Sequence, residues 1–165
     1  MLVPLTPPIL RAVASGDVAE AERLLGAAAG AGWEDGVPAA LRLKQLAADP
    51  GEQPWLVRAM VASEPRRIVG SIGFHAPPDE QGRVEIGYDV VAAERRKGYA
   101  REGVQALLAW AWETGRARIC VASASPQNAP SLALLRSFRF EQVGEQIDEI
   151  DGLEWVFERP LPLPT

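Results

Sequence analysis

Between Arg95 and Arg101 the chain reads Arg-Arg-Lys-Gly-Tyr-Ala-Arg, four cations in seven positions, directly before a long run with helical apolar spacing. Residue types of this kind bind phosphate. The first turn of a helix carries amide donors with no intrahelical acceptor, and its dipole is positive at that end. Loop amides and helix amides together make a socket for phosphate oxygens. Gly98 has no β-carbon, so a phosphate can approach its backbone closely and φ can be positive. Ala100 is also small, and Arg95, Arg96, Lys97 and Arg101 add charged donors. Two common phosphate loops are excluded: neither GxxxxGK[ST] nor a GxGxxG after a strand occurs. The pattern is Arg95-x-x-Gly98-x-Ala100.

The elements that must position this loop follow from periodicity. Arg83 to Val91 alternates apolar and polar residues and is predicted as a strand running into the loop. Gly98 to Thr114 is predicted as the helix leaving it, with Ala100, Val104, Leu107, Leu108 and Ala111 as its apolar stripe. Upstream, Leu2 to Val13 is read as a first strand interrupted by prolines. Asp17 then caps a helix, and Pro38 opens a second that runs to about Ala48. Trp55–Ser63 and Ile68–His75 read as a hairpin. Downstream come a strand at Ile119–Ala122, a short helix at Asn128–Ser137, and strands at Phe140–Ile147 and Leu153–Glu158 joined through Asp151-Gly152. The order β-α-α-β-β-β-α-β-α-β-β predicts an α/β protein with a mixed, mostly antiparallel sheet and helices on both faces.

Arg95-x-x-Gly98-x-Ala100 resembles the (Gln/Arg)-x-x-Gly-x-(Gly/Ala) pyrophosphate motif of the GNAT acetyltransferase superfamily. The preceding Val-Glu-Ile-Gly-Tyr-Asp-Val, the downstream Asn128-x-x-Ser131-x-x-Leu134-Leu135 and the ending Asp-Gly-Leu-Glu-Trp-Val-Phe-Glu-Arg-Pro-Leu are similar to that family in the same order. Its branch of ribosomal-protein N-terminal acetyltransferases is the most alike. The resemblance implies one GNAT domain over residues 1–165, acetyl-coenzyme A as cosubstrate, no metal, and an amine acceptor that is either a small molecule or a peptide N-terminus. It implies coenzyme contacts at Arg95, Arg96, Lys97, Gly98, Tyr99, Ala100, Arg101 and Asn128, and at the backbone amides of Val90 and Val91. Glu85, a carboxylate flanked by apolar residues on the same strand, is the candidate general base, with Asp89 and Tyr88 as alternatives, because an ammonium must lose a proton before it attacks a thioester. Ser131, whose hydroxyl can reach a leaving sulfur, is the candidate acid. The acceptor is expected near Trp33, Glu34, Asp35 and His75.

Two positions depart from the family. Arg139-Phe140 stands where Gly-Phe is usual, and Leu135 stands where many members carry a tyrosine that reprotonates the thiolate. These departures keep open a module that binds an acyl-coenzyme A without turnover. A longer acyl donor also remains open.

Composition bounds the rest. A chain of 165 residues, 47% hydrophobic and 24% charged, suits one domain with its own core. Cys120 is the single cysteine, so no intrachain disulfide forms, and with one histidine a zinc site is not expected. Cys120 lies among apolar residues and reads as core. The net charge of -5 argues against nucleic acid and for a cationic partner. The opening residues lack the basic and apolar runs of a signal peptide, and no membrane span is expected, so a cytoplasmic protein is inferred. A homodimer is left open.

Overall fold

The computed structural model describes residues 1–150 and 152–163. They contain eight strands and five α-helices and fall into two compact units.

The first unit comprises Met1–Pro77 and Tyr88–Ala106. It begins with β1 (Leu2–Pro4), α1 (Pro7–Ala14), α2 (Val18–Leu25) and β2 (Ala28–Ala29). A 3-10 turn at Trp33–Gly36 leads to α3 (Ala39–Ala48), then to β3 (Arg58–Ser63) and β4 (Arg66–Phe74). The unit also holds the end of β5 (Arg83–Val90) and the first turns of α4 (Tyr99–Glu113). β3 pairs antiparallel with β4, as the hairpin pattern predicted; it also pairs antiparallel with β1, and β2 adds a short parallel pair to β4.

The expected strand to Val13 is corrected here. Only Leu2–Pro4 is extended, and α1 follows. Pro7 and Pro8 occupy the first positions of that helix, where the missing N–H is not needed and a φ near −65° fits. The buried residues Ile9, Leu10, Ala12 and Val13 then share a helical face packed among Leu5, Leu25, Trp33, Leu56 and Ile68. The alanine-rich end of the next predicted helix is shorter as well: Gly26 adopts the left-handed conformation that stops α2, its N–H donating to the Glu22 carbonyl.

The second unit comprises Pro78–Gly87 and the chain from Leu107 onward. It holds the start of β5, the remainder of α4, β6 (Ile119–Ala124), α5 (Ala129–Ser137), β7 (Glu141–Asp148) and β8 (Gly152–Pro160). β5 and β6 are parallel over Arg83–Glu85 and Ile119–Val121, with α4 as the crossover. β8 is antiparallel to β6 and to β7. Asp151 of the expected turn lies outside the described residues.

α5 ends at a backbone outlier that the sequence pointed to. Arg139 has a φ of 59°, and the following Phe140 N–H donates to the Leu135 carbonyl at 3.0 Å. A left-handed arginine costs about 1–2 kcal/mol, and glycine gives back about 0.5–1 kcal/mol of that as lost chain entropy. Arg139→Gly is therefore expected to raise the midpoint of thermal unfolding by about 2 °C. Calorimetry measures this directly; a lower midpoint would mean that the arginine side chain outweighs the strain.

Candidate active site

β5 runs through Val91 into a 3-10 turn at Ala92–Glu94 and then into the basic loop that opens α4. Gly98 has a φ of 90°, and its carbonyl accepts from the Glu102 N–H at 3.0 Å, closing the first turn. A β-carbon on Gly98 would meet no atom nearer than Glu102 Oε1 at 3.9 Å. Glycine is thus demanded by the backbone conformation and not by crowding from the protein.

The four cations of the motif are unlike one another in their surroundings. Arg95 Nε donates to the Val90 carbonyl at 2.8 Å, and its Nη2 lies 3.5 Å from Asp89 Oδ1. Lys97 Nζ donates to Glu94 Oε2 at 3.1 Å. Arg96 is exposed and has a φ of 62°. Arg101 is exposed on the first turn of α4. Glu94 is held by a residue that sequence reasoning missed: Arg67, on β4, donates from Nε and Nη2 to its two oxygens at 3.1 and 3.0 Å. These hydrogen bonds, from Arg67 first and Lys97 second, lower the Glu94 carboxyl to about 2. Arg67 Nη2 also donates to the Tyr99 hydroxyl at 3.3 Å. No local pattern could have revealed this pairing, since its partners are 27 positions apart.

The Val91 N–H donates to the Val69 carbonyl at 3.0 Å, so it serves strand pairing. That corrects the expectation of a free amide at Val91. Strand amides alternate in direction. The Val90 amide therefore faces the opposite edge of β5 from β4, the edge on which the Val90 carbonyl meets Arg95. Beside this strand end sits the 3-10 turn Trp33–Gly36. Ser71 Oγ donates to the Gly36 carbonyl at 2.7 Å, and a β-carbon on Gly36 would fall 2.7 Å from Asp89 Oδ2.

Trp33 itself is 1% exposed and belongs to the core of this unit. Its expected place in an acceptor pocket is corrected: burying a large aromatic surface outweighs presenting it to a ligand. Glu34 is half-buried and Asp35 exposed on the same turn. His75 is exposed just past β4, its carbonyl accepting from Arg42 Nη1 at 2.8 Å and Gln45 Nε2 at 2.9 Å. The Arg42 side chain is buried, and that burial lowers its pKa.

In the second unit Glu85 accepts from Ser123 Oγ at 3.0 Å, and that hydroxyl in turn accepts from Gln146 Nε2 at 3.2 Å. The β5–β6 register ends at Glu85 opposite Val121. Cys120 is buried on β6, and burial first, then the Glu85 charge, push its thiol far up, which leaves it protonated. Asn128 caps α5, its Oδ1 accepting from the Ser131 N–H at 3.2 Å. That bond leaves the Asn128 amide nitrogen as a donor on an exposed residue. Ser131 is half-buried, and Leu135 is 2% exposed in the core.

A family model described as "Acetyltransferase (GNAT) domain" matches residues 9–141. The chain belongs to the GNAT acetyltransferase family. A curated relative, an uncharacterized N-acetyltransferase p20 of Bacillus licheniformis, is 34% identical over 86 residues, which are 52% of this chain and 48% of the relative. The chain therefore matches about half the length of that relative. Among solved structures, the ribosomal L7/L12 alpha-N-protein acetyltransferase RimL in complex with coenzyme A superposes with a TM-score of 0.66 at 16% identity, covering 97% of this chain and 93% of the other. The spermidine/spermine N-acetyltransferase SpeG of Vibrio cholerae gives a TM-score of 0.59 at 11% identity, covering 71% and 69%. Structures at such identities establish the GNAT fold and leave the acceptor open. Among the described residues, no helix is long and apolar enough to cross a membrane.

Proposed function

We propose that this chain is an N-acetyltransferase that moves the acetyl group of acetyl-coenzyme A onto a primary amine by direct attack in a ternary complex. The observation that carries the reading is the loop before α4: a glycine at φ 90°, uncrowded by protein atoms, among arginines and a helix start, in a chain of the GNAT family. Amides of Gly98, Tyr99 and Ala100, with cationic side chains around them, hold the diphosphate. The Val90 amide donates to the acyl arm, and Asn128 contributes a side-chain donor.

In this mechanism Glu85 takes a proton from the amine, whose lone pair then attacks the thioester carbon. The tetrahedral oxyanion is stabilised by backbone N–H donors. The carbon–sulfur bond breaks, the Ser131 hydroxyl passes its proton to the departing sulfur, and the proton shed by the attacking nitrogen as the amide forms restores that hydroxyl. The products are the acetylated amine and free coenzyme A. Glu34, Asp35 and Asp89 place negative charge around the strand end of the first unit, which favours a cationic acceptor. Both a peptide N-terminus and a small polyamine meet that description.

The buried Leu135 favours a second reading, because no hydroxyl stands at that position to serve the thiolate. In it the chain binds an acyl-coenzyme A and does not turn it over. Calorimetric titration with coenzyme A, followed by a thiol-release assay over peptide N-termini, polyamines and amino acids, separates the two. The transferase reading expects binding in the micromolar range, about −8 kcal/mol, with release dependent on one class of amine. Binding with no release for any amine, with acetyl-, propionyl- or succinyl-coenzyme A as donor, would leave the module as the answer.

A further inference from the structure

Arg96 combines two features that its neighbours lack. It is a bulky residue held in the left-handed region, with a φ of 62°, where an L side chain is disfavoured. Its guanidinium is exposed and makes no hydrogen bond or ion pair among the described residues. Arg95 and Lys97 on either side are both engaged, the first with the Val90 carbonyl and Asp89, the second with Glu94. A strained residue persists where its surroundings hold it, and such residues cluster at ligand clamps.

What holds the loop is the Arg67–Glu94 pair. The contact is bidentate, with the two side chains 24% and 14% exposed, so it is better shielded than an ordinary surface pair. It ties the turn before the loop to β4, across 27 positions of sequence. Through the Tyr99 hydroxyl the same guanidinium reaches the first residue of α4. Both ends of the stretch from Glu94 to Tyr99 are thereby fixed to one strand. The same carboxylate takes up Lys97.

We propose that Glu94, locked to Arg67, is the positioning residue of the coenzyme loop, and that it occupies Lys97 and leaves Arg96 as the guanidinium that meets the coenzyme's phosphates. This rests on the coenzyme reading of the loop given above. Arginine suits the task, since its planar fork binds two phosphate oxygens at once. Glu94 is an anion beside a phosphate site, and by charge alone its removal would tighten binding. Positioning gives the opposite sign.

The test uses the full chain, titrated with coenzyme A by calorimetry, with the unfolding midpoint of the ligand-free protein measured alongside. Arg96→Gly is expected to weaken coenzyme A about tenfold, the loss of one charge-assisted contact, while raising the midpoint by about 2 °C through release of strain. Lys97→Ala is expected to change affinity by less than about twofold, since Glu94 already holds that ammonium. Glu94→Gln is expected to raise the KM for acetyl-coenzyme A about tenfold with kcat unchanged, and Glu94→Asp to recover part of the loss.

Equal affinity of Arg96→Gly and the parent, or a larger loss at Lys97 than at Arg96, would overturn the assignment of Arg96. Tighter binding by Glu94→Gln would overturn the positioning role. The parent reading fails separately: it falls if the unmodified chain does not bind coenzyme A, or if Gly98→Val binds as well as the parent. If the parent binds and Gly98→Val does not, a normal Arg96→Gly sinks this inference alone.

Discussion

Gly98→Val should lose coenzyme A binding by at least about 100-fold, some 2.7 kcal/mol, while the fold survives. The reasoning joins two independent features of one position. At a φ of 90° the backbone sits where a β-branched residue is strongly disfavoured. Valine there would pull the loop toward a different conformation and turn its amides away from a common focus. The second effect is bulk. Apart from Gly98 and its two chain neighbours, the nearest atom to the position a β-carbon would take is Glu102 Oε1 at 3.9 Å, so the added methyl groups reach outward to where a phosphate would approach. The protein itself pays little for that bulk, and the unfolding midpoint should fall by only a few degrees. Gly98→Ala, with a smaller backbone penalty and less bulk, should lie between the two. Titration of all three proteins with coenzyme A decides the matter. Affinity within a few-fold of the parent for Gly98→Val would remove this loop from the coenzyme site.

Glu85→Gln should depress kcat about 100-fold with coenzyme A affinity changed by less than about twofold. Glutamine keeps an oxygen that accepts from Ser123, so the hydrogen bond at 3.0 Å and its link to Gln146 persist. What is lost is a group able to take a proton from the ammonium form of the acceptor. The deficit should therefore shrink as pH rises toward the amine's own pKa, because free amine then supplies itself. A merely structural role for Glu85 would lower activity equally at all pH values. Asp89→Asn is the companion measurement. Should it carry the pH-dependent loss while Glu85→Gln turns over normally, the proton goes to Asp89 instead, the carboxylate beside the Trp33–Gly36 turn.

The residues that sequence reasoning located well are those whose role is local. Gly98 was legible because a glycine between a strand and a basic helix start lets a phosphate approach the backbone and permits a positive φ, and the structure has it at 90°. Asp17 and Asn128 were legible as caps, each accepting from an amide three residues ahead. Cys120 reads as core from its apolar neighbours, and it is 0% exposed. Arg139 stands where the GNAT family usually has glycine, and it takes the left-handed conformation that glycine would adopt freely, at a φ of 59°.

The misplaced ones depend on partners far along the chain. Prolines at the start look like interruptions of a strand, and only the packing of Ile9, Leu10 and Val13 into a core turns them into the opening of α1. Trp33 lies in a polar, glycine-rich stretch that reads as a loop, yet its ring is core. The direction of the Val91 amide is set by Val69 on another strand.

What the order of residues determined unaided is the fold class and the basic loop between a strand and a helix. Periodicity, capping and positive φ are properties of neighbours within a few positions, and they are written in any short window. What only the tertiary structure decided is which charges remain to act. Four cations look alike in a string. Folding brings Arg67 to Glu94, engages Lys97 there, turns Arg95 back onto Val90, and leaves the Arg96 guanidinium without a partner among the described residues. Ion pairing falls off over a few ångströms, so the fate of each charge depends on which distant segment the fold sets beside it.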